Sequence, residues 1–264
     1  MIFRLWALLL SAGLLLAQPI AVRYPEGSVH GYLALRSLDG KLLAAGDLIQ
    51  MVRGERLTSR LVYRFNDGSL DDETAVFTQR GHFRLVSDHH IQKGPMFPKP
   101  VDVFIRVTTG EVAVRYREKD QEKVETSHVD LPADLANGIL LDVLKNVPAD
   151  AKETKVSYLV TTPKPKLVQL SVQPEGQETF ISAGRPNKAL RFKIHVEIGG
   201  LSGVIAPLIG KEPPDAHVWI SAGAVPAFLR SETSLYLGGP FLRTELISPA
   251  WPRTPMSERE GQRR

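Results

Sequence analysis

The side chains with the most chemistry to offer lie between positions 71 and 90, at Asp71, Glu73, Asp88, His89 and His90. Alternation in two paired strands puts Asp71, Glu73 and His89 on one face, with His89 opposite Asp71. Two carboxylates and an imidazole suit Zn2+, Mn2+ or Fe2+, and a metal held there would activate water for hydrolysis. His128 and Asp130 join the set only if the fold brings them near. The alternative is a hydrated Asp71–His89 pair at the open end of a sheet. His82 and His195 fall on outward faces.

Other catalytic patterns fail on spacing. Gly203 to Lys211 has too many residues between its glycines for a phosphate loop, and Glu212 stands where Ser or Thr is needed. Gly200-Leu201-Ser202-Gly203 lacks the residue that a nucleophile elbow places between Ser and the second Gly. With no cysteine in the chain, thiol catalysis is excluded.

Two apolar loops point to binding instead. Gly94-Pro95-Met96-Phe97-Pro98-Lys99-Pro100 is stiff and presents Met96 and Phe97. Leu201 to Ile209 presents Val204, Ile205, Leu208 and Ile209. Exposed apolar loops mark a ligand mouth, a partner site or a membrane contact; the other reading is that both fold back as lids over the core.

The elements that position these residues are strands. Turn signals recur at Asp39-Gly40, Gly54-Glu55, Asn66-Asp67-Gly68, Gln79-Arg80-Gly81 and Thr109-Gly110, the spacing of a meander, sandwich or barrel. If Asn66-Asp67-Gly68 and Gln79-Arg80-Gly81 are three-residue loops, Phe65 faces Ser69, Tyr63 faces Asp71 and Leu57 faces Phe77. Phe77 then faces Phe83, Ala75 faces Leu85, Glu73 faces Ser87 and Asp71 faces His89. Both hairpins put Leu57, Leu61, Tyr63, Phe65, Ala75, Phe77, Phe83 and Leu85 on one face. A helix is expected over about 132–145, with Asp130 as N-cap, Pro132 in the first turn and Leu135, Ala136, Ile139, Leu140, Val143 and Leu144 at helical spacing. Strands follow at Lys155 to Thr161, Leu167 to Val172, Ala189 to Ile198, His217 to Ser221, Ala227 to Thr233 and Phe241 to Ile247.

The N-terminus reads as an address. Arg4 precedes an apolar run from Leu5 to Leu16, and Ala17 is small. That is a signal peptide layout, shorter than the roughly 20 residues of a spanning helix. Residues 1–17 are the expected signal peptide, 18–252 a single β-rich domain, and 253–264 a disordered basic tail with Arg253, Arg259, Arg263 and Arg264. Without cysteine there is no disulfide and no lipidated N-terminus, so the core must hold the fold. A periplasmic or secreted protein follows, with no transmembrane segment in the mature chain. Net charge of +4 gathers partly in the tail, and export argues against nucleic acid as a partner.

Three resemblances bear on function. Asp88-His89-His90 resembles the triplet of a family of metal-dependent phosphoesterases, but the βαβ setting of that family is missing. The strings FNDGS, SDHHIQKGP, LPADLANG, APLIGK and PPDAHVWI resemble those of a family of uncharacterised exported bacterial proteins. The meander of long strands resembles the half-barrel of LolA/LolB-type lipoprotein carriers, which hold acyl chains in an apolar concavity. This last likeness is architectural and transfers no site residue.

The expected fold is therefore mainly β, a long curved antiparallel sheet or half-barrel, LolA-like, with one principal helix at about 132–145. The expected function is non-catalytic binding or carriage of an apolar or amphipathic ligand, such as a lipid or lipoprotein, without a cofactor. Leu57, Leu61, Phe65, Phe77, Phe83 and Leu85 would line the concavity, with Met96, Phe97, Val204, Ile205, Leu208 and Ile209 at its rim. The alternatives are a metal-dependent hydrolase using Asp71, Glu73 and His89, and a structural envelope protein docking a partner through its apolar loops. The balance of the sequence is against an enzyme.

Overall fold

The structure is a computed structural model and describes residues 19–118, 121–161, 164–182, 185–197 and 213–247. Eight strands come first: β1 (Val29–Ser37), β2 (Leu42–Arg53), β3 (Arg56–Phe65), β4 (Leu70–Thr78), β5 (Arg84–Lys93), β6 (Val101–Arg106), β7 (Glu111–Glu118) and β8 (Gln121–His128). A single short helix, α1 (Leu140–Leu144), separates them from β9 (Thr154–Val160), β10 (Lys166–Ser182), β11 (Arg185–Glu197), β12 (Ala216–Ser221), β13 (Phe228–Ser234) and β14 (Phe241–Ile247). All fourteen strands form one antiparallel sheet in the order β8-β7-β6-β5-β4-β3-β2-β1-β14-β13-β12-β11-β10-β9. The sheet is not closed: β8 and β9, consecutive in the chain, are its two edges. The mainly-β expectation holds, and the closing strands fall where alternation places them. In β11, for example, Phe192 and Ile194 are buried in the core while Lys193 and His195 look out.

Because β8 and β9 lie at opposite edges, the chain between them has to cross the sheet. Val129 N–H donates to Gly110 O in the β6–β7 turn (2.8 Å), and Leu135 forms a parallel bridge with Ser157 of β9. Gly138 packs on Ala75 of β4 and Asp88 of β5, and Asp142 bonds Gln50 of β2. One short segment touches all of these strands only if the sheet curls around it. We call residues 131–147 the plug. Leu135, Ala136, Ile139, Val143, Leu144 and Val147 of the plug are at most 5% exposed and belong to one core with Leu57, Phe77, Phe83, Ile105, Val172 and Phe192.

The expected helix over 132–145 is corrected: only Leu140–Leu144 is helical. Residues 131–139 form turns, and Gly138 breaks any helix with φ of 65°. The apolar spacing that suggested a long helix comes from a segment buried on several sides. The first hairpin has the expected register, with Leu57 opposite Phe77, Leu61 opposite Glu73 and Tyr63 opposite Asp71. In the second hairpin Phe77 faces Leu85 and not Phe83, because residues 81–83 pair instead with the N-terminal stretch: Val22 N–H donates to Gly81 O and Phe83 N–H to Ile20 O. A register shift between Val76 and Phe77 then adds one residue on the β5 side. From Ser87 onward the alternation is inverted. Glu73 faces His90, Asp71 faces Gln92, and His89 turns to the opposite face.

Candidate functional site

The residues expected to line an apolar concavity are all on the inner face. Leu57, Phe65, Phe77, Phe83 and Leu85 are buried, and Leu61 packs against them. They do not line an open hollow: the plug and the opposing strands fill the space above them. Two open clefts among the described residues lie elsewhere. One, of about 300 Å3, is on the outer face between His89, Asp102, Phe104, Ala113, Arg115 and Val124, and the other is at His195, Pro213, Pro214 and Asp215. The rim is corrected too. Phe97 is 2% exposed, its ring edge-on to Phe65 at 5.6 Å and packed against Tyr236 at 5.8 Å. Met96 is half-buried against the same core. Ser69 Oγ of the first hairpin accepts the Met96 N–H at 2.8 Å, which folds the loop inward. Val204, Ile205, Leu208 and Ile209 lie outside the described residues.

Polar groups also face inward, in two clusters. The first is built on β4 and β5. His90 Nε2 lies 2.6 Å from Asp71 Oδ1, and Gln92 Nε2 donates to Asp71 Oδ2 and to Leu235 O. Glu73 and Asp88 complete it. Burial pushes both carboxyls upward; for Asp88 the charge of Glu73 adds to the effect, while for Glu73 the charge of His90 opposes it. Burial alone would lower His90, but its bond to Asp71 and the charges of Glu73, Asp71 and Asp88 outweigh that and raise it to about 9. Tyr158 of β9, pushed strongly upward by burial and then by the charges of Glu73, Asp88 and Asp71, closes the cluster from across the interior. Tyr63 of β3 lies flat over β2 to reach Thr244 of β14, its hydroxyl 3.0 Å from Oγ1. Only glycine permits this at position 46, where a Cβ would stand 2.7 Å from the Tyr63 ring.

The second cluster ties the plug to the N-terminal stretch. Lys145 Nζ lies 2.8 Å from Glu26 and 3.0 Å from Asp142, and Asp142 Oδ1 accepts from Gln50 Nε2 at 2.8 Å. Asn146 Oδ1 accepts the N–H groups of Arg23 and Tyr24. Burial first, and then the charge of Asp142, raise the Glu26 carboxyl.

At its other end the plug acts as a false strand along the free edge of β9. Ala136 N–H donates to Ser157 O, and the Ser157 N–H and hydroxyl donate to Asp134. Leu159 N–H donates to Asn137 Oδ1 (2.8 Å), and Asn137 Nδ2 donates back to Leu159 O (3.0 Å). These side chains satisfy backbone groups that an open edge leaves bare.

The expected trio of Asp71, Glu73 and His89 is not brought together. The carboxylates point inward, while His89 points out, 2.7 Å from Asp102 and edge-on to Phe104. Among the described residues no three His, Asp or Glu side chains are placed to hold a metal ion. Sequence reasoning missed Asp88, His90 and Gln92 as interior groups and Asp134 and Asn137 as edge pins. The signal was present in their buried polar types, but a one-residue bulge decides which of two adjacent histidines turns inward.

No family model matches the chain, and no curated protein matches it. Among solved structures it is similar to a beta-barrel-like protein of a domain of unknown function, DUF1849, from Brucella abortus. That protein is 12% identical over 84% of this chain and 97% of its own, with a TM-score of 0.45. It is also similar to the hypothetical lipoprotein YmcC from Escherichia coli (K12), 10% identical over 84% of each chain, with a TM-score of 0.32. No described helix is long and apolar enough to cross a membrane.

Proposed function

We propose that this chain is a non-catalytic binding protein of the cell envelope, taking up an apolar or amphipathic ligand against the inner face of its sheet. One observation carries the reading. Among the described residues, an apolar face spanning Leu57, Phe77 and Phe83 to Phe192 is covered not by a second sheet but by the opposing strands of the same open sheet and by the chain's own plug, which has five helical residues. The plug is apolar toward the sheet and pinned at its margins by Asp134, Asn137, Asp142 and Asn146. An element held in this way can be displaced as a unit, and a ligand that binds only the uncovered face shifts the equilibrium toward it. Leu57, Leu61, Phe65, Phe77, Phe83 and Leu85, which share the inner face, then supply the wall. Export, read from residues 1–17, supplies the compartment.

Titration with a fluorescent fatty acid tests the reading. The expected result is saturable binding by the natural protein, tighter in Asp134→Ala, because a larger open fraction raises apparent affinity. Absence of saturable binding in both proteins would overturn it.

A further inference from the structure

Beneath the tip of the plug sits a carboxyl group with no partner on one side. Asp88 is 2% exposed, and its Oδ1 has no hydrogen-bond partner among the described residues. Gly138 lies so close that a Cβ there would stand 2.8 Å from that oxygen and 2.7 Å from Ala75 Cβ. Bare plug backbone therefore lies against the carboxyl group and keeps water from it. An ionised carboxylate in that position is a buried charge whose Oδ1 has no hydrogen-bond donor. The same carboxylate with the plug lifted is open to the interior.

The neighbours of Asp88 do not cancel that charge. Glu73 of β4 adds negative charge, the His89 N–H gives one hydrogen bond, and His90 of β5, whose charge opposes that of Glu73, is already bonded to Asp71. Tyr63 of β3 and Tyr158 of β9 face the same acids. The charged side chains of the plug are engaged at other places: Asp134 with Ser157 of β9, and Asp142 and Lys145 with Gln50 and Glu26.

We propose that the plug is a proton-controlled lid, shut over the sheet while Asp88 is protonated and lifted when Asp88 ionises. Burial and then the charge of Glu73 raise this carboxyl, against the opposing charge of His90. A carboxyl raised in the closed form favours that form at low pH, and the advantage is lost as pH rises through the raised value. The inference rests on the reading that the plug covers a binding face. Its test uses no ligand, so failure of binding and failure of opening are told apart.

Hydrogen exchange followed by mass spectrometry, on the exported chain from pH 5 to pH 9 and corrected for the intrinsic rate, reads the lid directly. The plug amides over 139–147 should lose at least about tenfold protection as pH rises, while β3 and β4 keep theirs. Asp88→Asn should remove the pH step. Glu73→Gln should move it to lower pH, since a charge that raises Asp88 is gone. Plug protection that is constant with pH, that falls together with β3 and β4, or that keeps its step in Asp88→Asn overturns the proposal. If Asp88→Asn does not fold by circular dichroism, the comparison of the natural chain with Glu73→Gln decides, and an unshifted step overturns it.

Discussion

Gly138 carries more of the interior geometry than its size suggests. Its φ of 65° and the 2.7 Å and 2.8 Å approaches to Ala75 and Asp88 leave no room for a side chain. Gly138→Ala is expected to cost about 2–4 kcal/mol, combining left-handed strain with overpacking, measured by urea denaturation. His90 gives a pH dependence with a definite sign. It holds its proton to about 9 in the folded chain, against 6.5 ordinarily, so its contribution is complete below 6.5 and lost as pH rises toward 9. Glu73 and Asp88, also raised, act in the same direction. The urea midpoint should therefore fall between pH 6 and pH 9, and a midpoint that rises over this range contradicts the assigned cluster. This is also where the sequence misleads. Strict alternation from Phe77 chooses His89 as the inward histidine, and one bulged residue in β5 hands the role to His90. No feature of the residues around Val86 marks that bulge, and the pairing of residues 81–83 with Ile20 and Val22 moves the register by two residues, which alone leaves the alternation unchanged.

At the scale of elements, the plug serves two purposes: it fills the curled sheet and caps the edge of β9. Asn137 does the second with one side chain, giving and receiving a bond on Leu159. Asn137→Ala leaves both backbone groups without their buried partner and should cost about 1–3 kcal/mol. The same substitution should increase the fluorescence of an apolar dye such as ANS, as the plug loosens; unchanged dye binding with lowered stability would show that the plug does not move independently. The strands after the plug were legible because each is amphipathic with period two, as in Leu190, Phe192, Ile194 and Val196. The plug was not. Its apolar residues recur at helical spacing, yet they are buried against β4, β5 and β9 at once. Periodicity reports a buried stripe, and a segment buried nearly all round has no stripe to report.

At the scale of the molecule, two meanders joined through β1 and β14 make one open sheet. Placing sequence neighbours β8 and β9 at opposite edges forces the connection through the interior. The strings FNDGS, SDHHIQKGP and LPADLANG meet there. Gly94 packs on Ser69, and Gly138 packs on Asp88. A curved antiparallel sheet was readable from turn spacing and hairpin register, whereas a filled interior was not, since an apolar face has the same sequence whether covered by ligand or by its own chain. The central claim is that moving the plug uncovers the binding face. Because the chain has no cysteine, a single engineered pair tests it cleanly. Leu135→Cys with Ser157→Cys joins two residues that already form a bridge between the plug and β9, within the usual reach of a disulfide. Uptake of a fluorescent fatty acid should be lost in the oxidised protein and return on reduction. Equal uptake in both states would contradict the account.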